Sequence, residues 1–205
     1  TNQIDWALDE YAEEDGLLDE VEQYEYVGDV PFDFVRRRAT VVVKQDEDVN
    51  IMISKGAMPE ILSISTGYLD QDRNIQPLDS KTVNDMMGLV EWYSTKGMRV
   101  LGITHKYLPS GKTEFTEADE CDLIIAGFLV FTDPVKPTAK KAIEDMREYG
   151  ITVKVLTGDN EYVSRHVCDQ IGIPTENILV GPQIDGMSDD ELKEVVENTS
   201  IFARL

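Results

Sequence analysis

From residue 123 to residue 203, short apolar runs alternate with stretches of helical spacing, and nothing else in this chain limits its fold so tightly. Residues 123–131 form an almost unbroken apolar run, the mark of a strand buried on both faces. Beyond it the spacing predicts a helix over 137–149, a strand over 151–156 and a helix over 160–171. A strand at 178–180, a helix from Ser188 and a strand at 201–203 complete the series. Strands separated by helices need crossover connections, so this part reads as α/β with a parallel, doubly wound sheet. Lys154-Val-Leu-Thr-Gly-Asp-Asn160 then puts Thr157, Gly158 and Asp159 where a buried strand emits its C-terminal loop, the rim at which ligands bind in open α/β sheets. A hydroxyl, a glycine and a carboxylate there suit phosphate and metal. They suit equally a turn in which Asp159 caps the following helix. Asp133, in Asp133-Pro-Val-Lys-Pro137, follows the 123–131 run and lies at the same kind of rim.

Upstream the grammar is α+β. Ile4, Ala7, Leu8 and Tyr11 have helical spacing, continued by Leu17, Leu18 and Val21. Residues 30–44 are dense in β-branched and aromatic side chains, and the polar 45–50 segment leads into Ile51-Met-Ile-Ser54, a hairpin signature. Pro59 marks the first turn of a helix, and Ser80 is a good N-cap for another. Gly97 ends that helix, and residues 98–104 read as a strand. The turn-rich Pro109-Ser-Gly-Lys-Thr-Glu114 sets the expected boundary, giving one domain over 1–115 and a second over 116–205.

The chain carries 40 Asp and Glu against 19 Lys and Arg, a formal charge of −21, so nucleic acid and anionic membrane surfaces are poor partners. A bound anion would need a locally basic pocket. Phe32-Asp-Phe-Val-Arg-Arg-Arg38 offers one: an aromatic ring to stack on a base, and guanidinium groups, with Arg36 and Arg38 on one strand face, to meet phosphate. The alternative is a core Phe32 and arginines paired with surrounding carboxylates. Lys55-Gly56 stands at a strand end, where a glycine allows close backbone approach and an ammonium can reach a ligand, or where both simply start a helix. Arg99 is a second cation for the same pocket, or a solvated one. His105 and His166 have no partner at catalytic or metal spacing, and Cys121 and Cys168 form neither a disulfide framework nor a zinc pattern. No run is long and apolar enough for a membrane span.

The order of these motifs resembles the cytoplasmic catalytic portion of P-type cation-transporting ATPases: Phe32 with Arg36-Arg37, Lys55-Gly-Ala, Gly97-Met-Arg99, Asp133-Pro-Val-Lys136, Thr157-Gly-Asp159 and Phe202-Ala-Arg204. Each is weak alone; six in this order, across essentially the whole chain, are not. The run from Pro31 through the arginines into Val-Val-Val looks most like the bacterial magnesium-transporting branch. The resemblance implies a nucleotide-binding domain with an antiparallel sheet and flanking helices over 1–115. A truncated Rossmann-like phosphorylation domain of the haloacid dehalogenase type would follow it. It further implies that Phe32 stacks on adenine, Asp5 contacts the adenine amino group, Arg36, Lys55 and Gly56 line the pocket, and Arg99 meets the phosphates. Thr157 would hold the phosphoryl group, Gly158 would belong to the nucleotide site, Asp159 and Asp133 would support ATP and Mg2+, and Lys136 and Arg204 would approach the nucleotide. The partners implied are adenine nucleotide and the rest of a pump, its transmembrane and actuator domains, with this part on the cytoplasmic face of the plasma membrane.

The chain departs from that pattern: Ala39 stands where members of the family often carry Met, and two motifs are missing. The family's nucleophilic Asp-Lys-Thr-Gly-Thr does not occur, and Asp46-Glu-Asp48 is no substitute, lacking the Lys and Thr in a hairpin turn. The magnesium-binding Gly-Asp-Gly-x-Asn-Asp is absent as well. With Thr1 inside helical spacing, the chain reads as a piece of a longer protein that binds nucleotide without forming a phosphoenzyme. Two other readings compete with it. One is a phosphatase of the dehalogenase type, which requires a nucleophilic aspartate not visible here. The other is a noncatalytic acidic module that binds a basic partner.

Overall fold

A computed structural model describes residues 3–44 and 46–205. The chain forms two compact units: the first takes the chain up to Met87 and Val100–Phe131, the second takes Gly88–Arg99 and Thr132–Leu205.

The first unit is built on helices α1 (Gln3–Glu14) and α2 (Leu18–Val21), strands β1 (Glu25–Asp33), β2 (Arg38–Lys44) and β3 (Val49–Ala57), and helix α3 (Met58–Ser63). Strands β4 (Ser65–Leu69) and β5 (Ile75–Pro77) follow, then helix α4 (Ser80–Thr95), whose last turns belong to the second unit. Strands β6 (Met98–Pro109) and β7 (Leu123–Thr132) complete a seven-stranded sheet in the order β1-β2-β3-β6-β7-β4-β5. The predicted hairpin is β2–β3, with Thr40 opposite Ser54 and Val42 opposite Met52. Alternation sorts its side chains: Thr40, Val42, Met52 and Ser54 are buried, while Ala39, Val41, Ile53 and Lys55 take the other face. Val42, Met52 and Leu123 form the core, closed by Val27, Ile64, Leu108 and Phe115.

The sheet is mixed, not antiparallel throughout, because β4 pairs parallel with β7, Ser65 opposite Leu123. The 123–131 run is therefore not the opening strand of the second module. It lies inside the first unit's sheet, between β6 and β4, with Leu123 buried and Val130 substantially exposed. Its apolar length came from a place in a wide sheet, and only its first half is deeply covered. The helix cap at α4 also differs from expectation: Asp79 Oδ1 accepts from Thr82 N at 2.7 Å, one residue before Ser80.

The second unit has helices α5 (Ala139–Glu148), α6 (Glu161–Ile171), α7 (Gly181–Asp185) and α8 (Asp189–Val196) around three short strands, β8 (Val155–Leu156), β9 (Ile178–Val180) and β10 (Ile201–Ala203). The strands are parallel in the order β8-β10-β9. Ile201 and Cys168 are buried at its centre with Ile173. Asn160, not Asp159, caps α6, its side chain accepting from Tyr162 N and Val163 N, and Gly172 closes that helix in the left-handed region. Ser188 caps α8 with Glu191 in a reciprocal box. Among the described residues no helix is long and apolar enough to cross a membrane.

Candidate functional site

The aromatic–arginine segment of the first unit is a strand end and a tight turn, not a continuous strand. Asp33 Oδ1 accepts from Val35 N and Arg36 N, both at 2.8 Å, and Asp33 O accepts from Arg37 N at 2.7 Å. Arg37 takes a left-handed φ of 49° to turn the chain into β2. The N–H of Arg36 is the largest influence holding the Asp33 carboxyl below its ordinary pKa, joined by that of Val35 and by the Arg36 charge. Phe32 is not a core residue: it is 55% exposed, and its ring meets the still more exposed Phe34 edge-on, with centroids 5.3 Å apart. An apolar ring left in water at the lip of a sheet is available to a flat ligand.

Arg36 and Arg38 do share a face, and what they meet is a carboxylate of this chain. Glu120, with no side-chain exposure, accepts from Arg36 Nη1 at 2.7 and 2.9 Å, from Arg38 Nε at 2.7 Å and from Thr40 Oγ1 at 2.6 Å. The surrounding-carboxylate reading of these arginines describes this arrangement, and the Arg36 guanidinium faces Glu120. Nothing in the local pattern singles Glu120 out among so many acids; only the folding of the 117–120 turn against β2 buries it.

Lys55 and Asp5 are brought together from β3 and the first turn of α1, with Lys55 Nζ 2.6 Å from Asp5 Oδ1. Ala39 stands opposite Lys55 in β2, and the irregular part of β1 that holds Phe32 lies opposite Ala39, between the Val30–Thr40 and Asp33–Arg38 pairs. Phe32, Lys55 and Asp5 thus belong to one neighbourhood of this unit. Gly56 is required for a reason internal to the fold: a Cβ there would stand 2.5 Å from Arg38 Cβ and 2.8 Å from Arg37 O. The backbone that approaches it closely is that of the turn.

Arg99 pairs with two rim carboxylates. It belongs to the second unit, where its Nη2 lies 2.8 Å from Asp159 Oδ2 and 3.5 Å from Asp133 Oδ2. The two rim carboxylates therefore converge, and they converge on a guanidinium. A cleft of about 310 Å³ opens beside them, lined by Arg99, Asp133, Lys136, Thr157 and Asp159 and floored by Val155, Val163 and Cys168. Thr157 Oγ1 accepts from Asp159 N at 3.1 Å, and β10 holds the loop in place through Thr157 N to Phe202 O and Arg204 N to Asp159 O, both 2.9 Å. Gly158 has Leu205 O 3.7 Å from where a Cβ would stand. Arg204 is engaged by Glu161 through two contacts of 2.7 and 2.9 Å.

Among the described residues no group of three or more His, Cys, Asp or Glu side chains is arranged to hold a metal ion. Asp133 and Asp159 share the single positive charge of Arg99 and form no such group by themselves. His105 stands beside Tyr107 with its pKa lowered by burial, and His166 bonds Gln170.

Residues 1–138 match the family described as P-type ATPase, cytoplasmic domain N. Over 204 residues the chain is 36% identical to the "Magnesium-transporting ATPase, P-type 1" of Salmonella typhimurium, covering 100% of this chain and 22% of that protein. Its Escherichia coli (strain K12) counterpart is 35% identical over the same length, with 23% of that protein covered. "Calcium-transporting ATPase 1" of Saccharomyces cerevisiae is 31% identical over 187 residues, 87% of this chain and 19% of that protein. The chain spans about a fifth of the length of these relatives.

Proposed function

The chain belongs to the P-type ATPases, whose cytoplasmic domain N its residues 1–138 match, and from that membership we propose that it binds ATP through the neighbourhood of Phe32, Lys55 and Asp5. The observations that carry the reading are the exposed Phe32 ring, on the β1 segment opposite Ala39, and the Lys55–Asp5 pair, whose Lys55 stands opposite Ala39 on β3. The ring offers a π-face to adenine. Asp5 has the acceptor that an exocyclic amine needs, and Lys55 supplies positive charge in a chain that is otherwise strongly acidic. Arg36 contributes by holding the turn through Glu120, and Gly56 by letting β3 pass under that turn.

The second unit is read as part of a phosphorylation domain of the haloacid dehalogenase type. Its parallel strands and the Thr157-Gly-Asp159 loop support this. There Thr157 would hold a phosphoryl group and Gly158 would belong to the nucleotide site. Asp159, Asp133, Lys136 and Arg99 line the cleft and would supply the charge there, and Arg204, paired with Glu161, would approach the nucleotide. The longer pump would pass the γ-phosphate of ATP to an aspartate and couple hydrolysis to movement of a cation, magnesium by the relatives' names. That ion is cargo. No aspartyl nucleophile in its Lys-Thr-Gly-Thr setting occurs in the sequence. This chain's own part is binding, within a pump whose other domains lie in the membrane and at its cytoplasmic face.

Calorimetric titration of the 205-residue chain with ATP tests the reading. Saturable binding of one nucleotide is expected; absence of binding, with the fold intact, contradicts it.

A further inference from the structure

Among the described residues Glu120 is the most completely enclosed charge of the first unit, and its three partners, Arg36, Arg38 and Thr40, all lie on or beside the strands that present the candidate ligand contacts. Two routes lead from it. Through Arg36 it reaches the chain on both sides of Phe32, because Arg36 Nη2 donates to Pro31 O, while Arg36 N is bonded to the Asp33 carboxylate. Through Thr40 it reaches Ser54, whose Oγ lies 2.7 Å from Thr40 Oγ1, and Ser54 is the residue before Lys55. Thr40 and Ser54 occupy the buried face of β2–β3, and Lys55 occupies the other. Glu120 therefore braces from beneath the surface on which Phe32 and Lys55 stand.

We propose that Glu120 is a positioning residue for nucleotide binding: it touches no ligand, and it fixes where the Phe32 ring and the Lys55 ammonium are held. The proposal rests on the nucleotide reading above and adds a residue that no motif supplied. A buried carboxylate shared by two guanidinium groups and a hydroxyl has few alternative arrangements, since each would leave a charge without a partner in a desolvated place. That is the property a brace needs. A neutral amide of the same shape keeps the volume and loses the charge on which both arginines converge.

The test is a double-mutant cycle on the whole chain, with ATP affinity by calorimetry and the Phe32 and Phe34 ring resonances in ligand-free protein as readouts. Glu120→Gln is expected to weaken ATP binding about tenfold, to shift those rings, and to leave the Phe202 ring of the second unit unmoved. In a Phe32→Ala background the same substitution is expected to cost about threefold or less, because most of its effect passes through that ring. A purely structural role would weaken binding equally in both backgrounds. That equality, or unchanged affinity and unshifted rings, overturns the proposal. If Glu120→Gln does not fold, Thr40→Val carries the same cycle: it removes one hydroxyl link and keeps the charge cluster, and it is judged by the same comparison. Failure of the unaltered chain to bind ATP overturns the nucleotide reading and the proposal together; binding that ignores Glu120 overturns the proposal alone.

Discussion

Lys55 Nζ lies 2.6 Å from Asp5 Oδ1, so one ion pair joins the end of β3 to the first turn of α1. Both side chains are partly exposed, and such a pair adds only about 0–1 kcal/mol to stability. Its value lies in setting a positive and an accepting group side by side near an exposed ring. Lys55→Gln is accordingly expected to leave the thermal midpoint nearly unchanged. The same substitution should weaken ATP binding by about 1.5–3 kcal/mol, the scale of a hydrogen bond to a charged group. Melting curves with and without ATP separate the two effects; a large loss of stability in the free protein would show that the pair is structural.

Phe32→Ala removes the ring without disturbing the core, because that ring is already more than half in water. Base–aromatic stacking sets the expected loss of ATP affinity at about 1–3 kcal/mol. Equal affinities for the variant and the unaltered chain, measured by calorimetry, would remove Phe32 from the site.

The turn after Phe32 also predicts a pH dependence. The folded pKa of Asp33 is lowered, chiefly by the N–H of Arg36, and that of Asp119 is lowered, chiefly by Lys112. A lowered folded pKa contributes stability that is fully present above the unfolded value, 3.8, and is lost as pH falls through the folded value. Urea melts should therefore show the unaltered chain more stable than Asp33→Ala at about pH 6, with the gap closing toward about pH 2.5. A gap that does not change with pH would mean that the carboxylate charge is not what holds the turn.

Much of the local architecture was legible because it is written in short-range terms. The β-branched runs flanking a polar segment, described here over 46–50, do pair as the β2–β3 hairpin, Pro59 does lie in the first turn of α3, and a helix does start after Ser188. The Thr157–Asp159 loop does follow a short parallel strand. What could not be read was long-range. Leu123 finds its partner at Ser65, nearly sixty positions upstream, and that parallel pairing moved a whole strand into the other unit. Arg99 meets Asp159 and Asp133, and Arg36 meets Glu120, across separations over which no periodicity extends. Charge pairing in an acidic chain offers many choices, and only the fold selects among them.

The two thiols differ in a way that tests the packing of the second unit. Cys121 is exposed, whereas Cys168 is buried in the core with its thiol pushed up to about 11 by burial and, secondarily, by Asp169. At about pH 8 a thiol reagent should modify one cysteine promptly and the second only on unfolding. Two rapid modifications in the native chain would mean that α6 does not pack against β10 as described.

The central claim is that adenine nucleotide binds around Phe32 and Lys55, and amide resonance mapping during an ATP titration tests it most directly. The account predicts saturable shifts centred on residues 31–38, Lys55 and the first turn of α1, of one common affinity and weakened together by Phe32→Ala. Shifts that leave those residues unmoved while ATP binds elsewhere would contradict it.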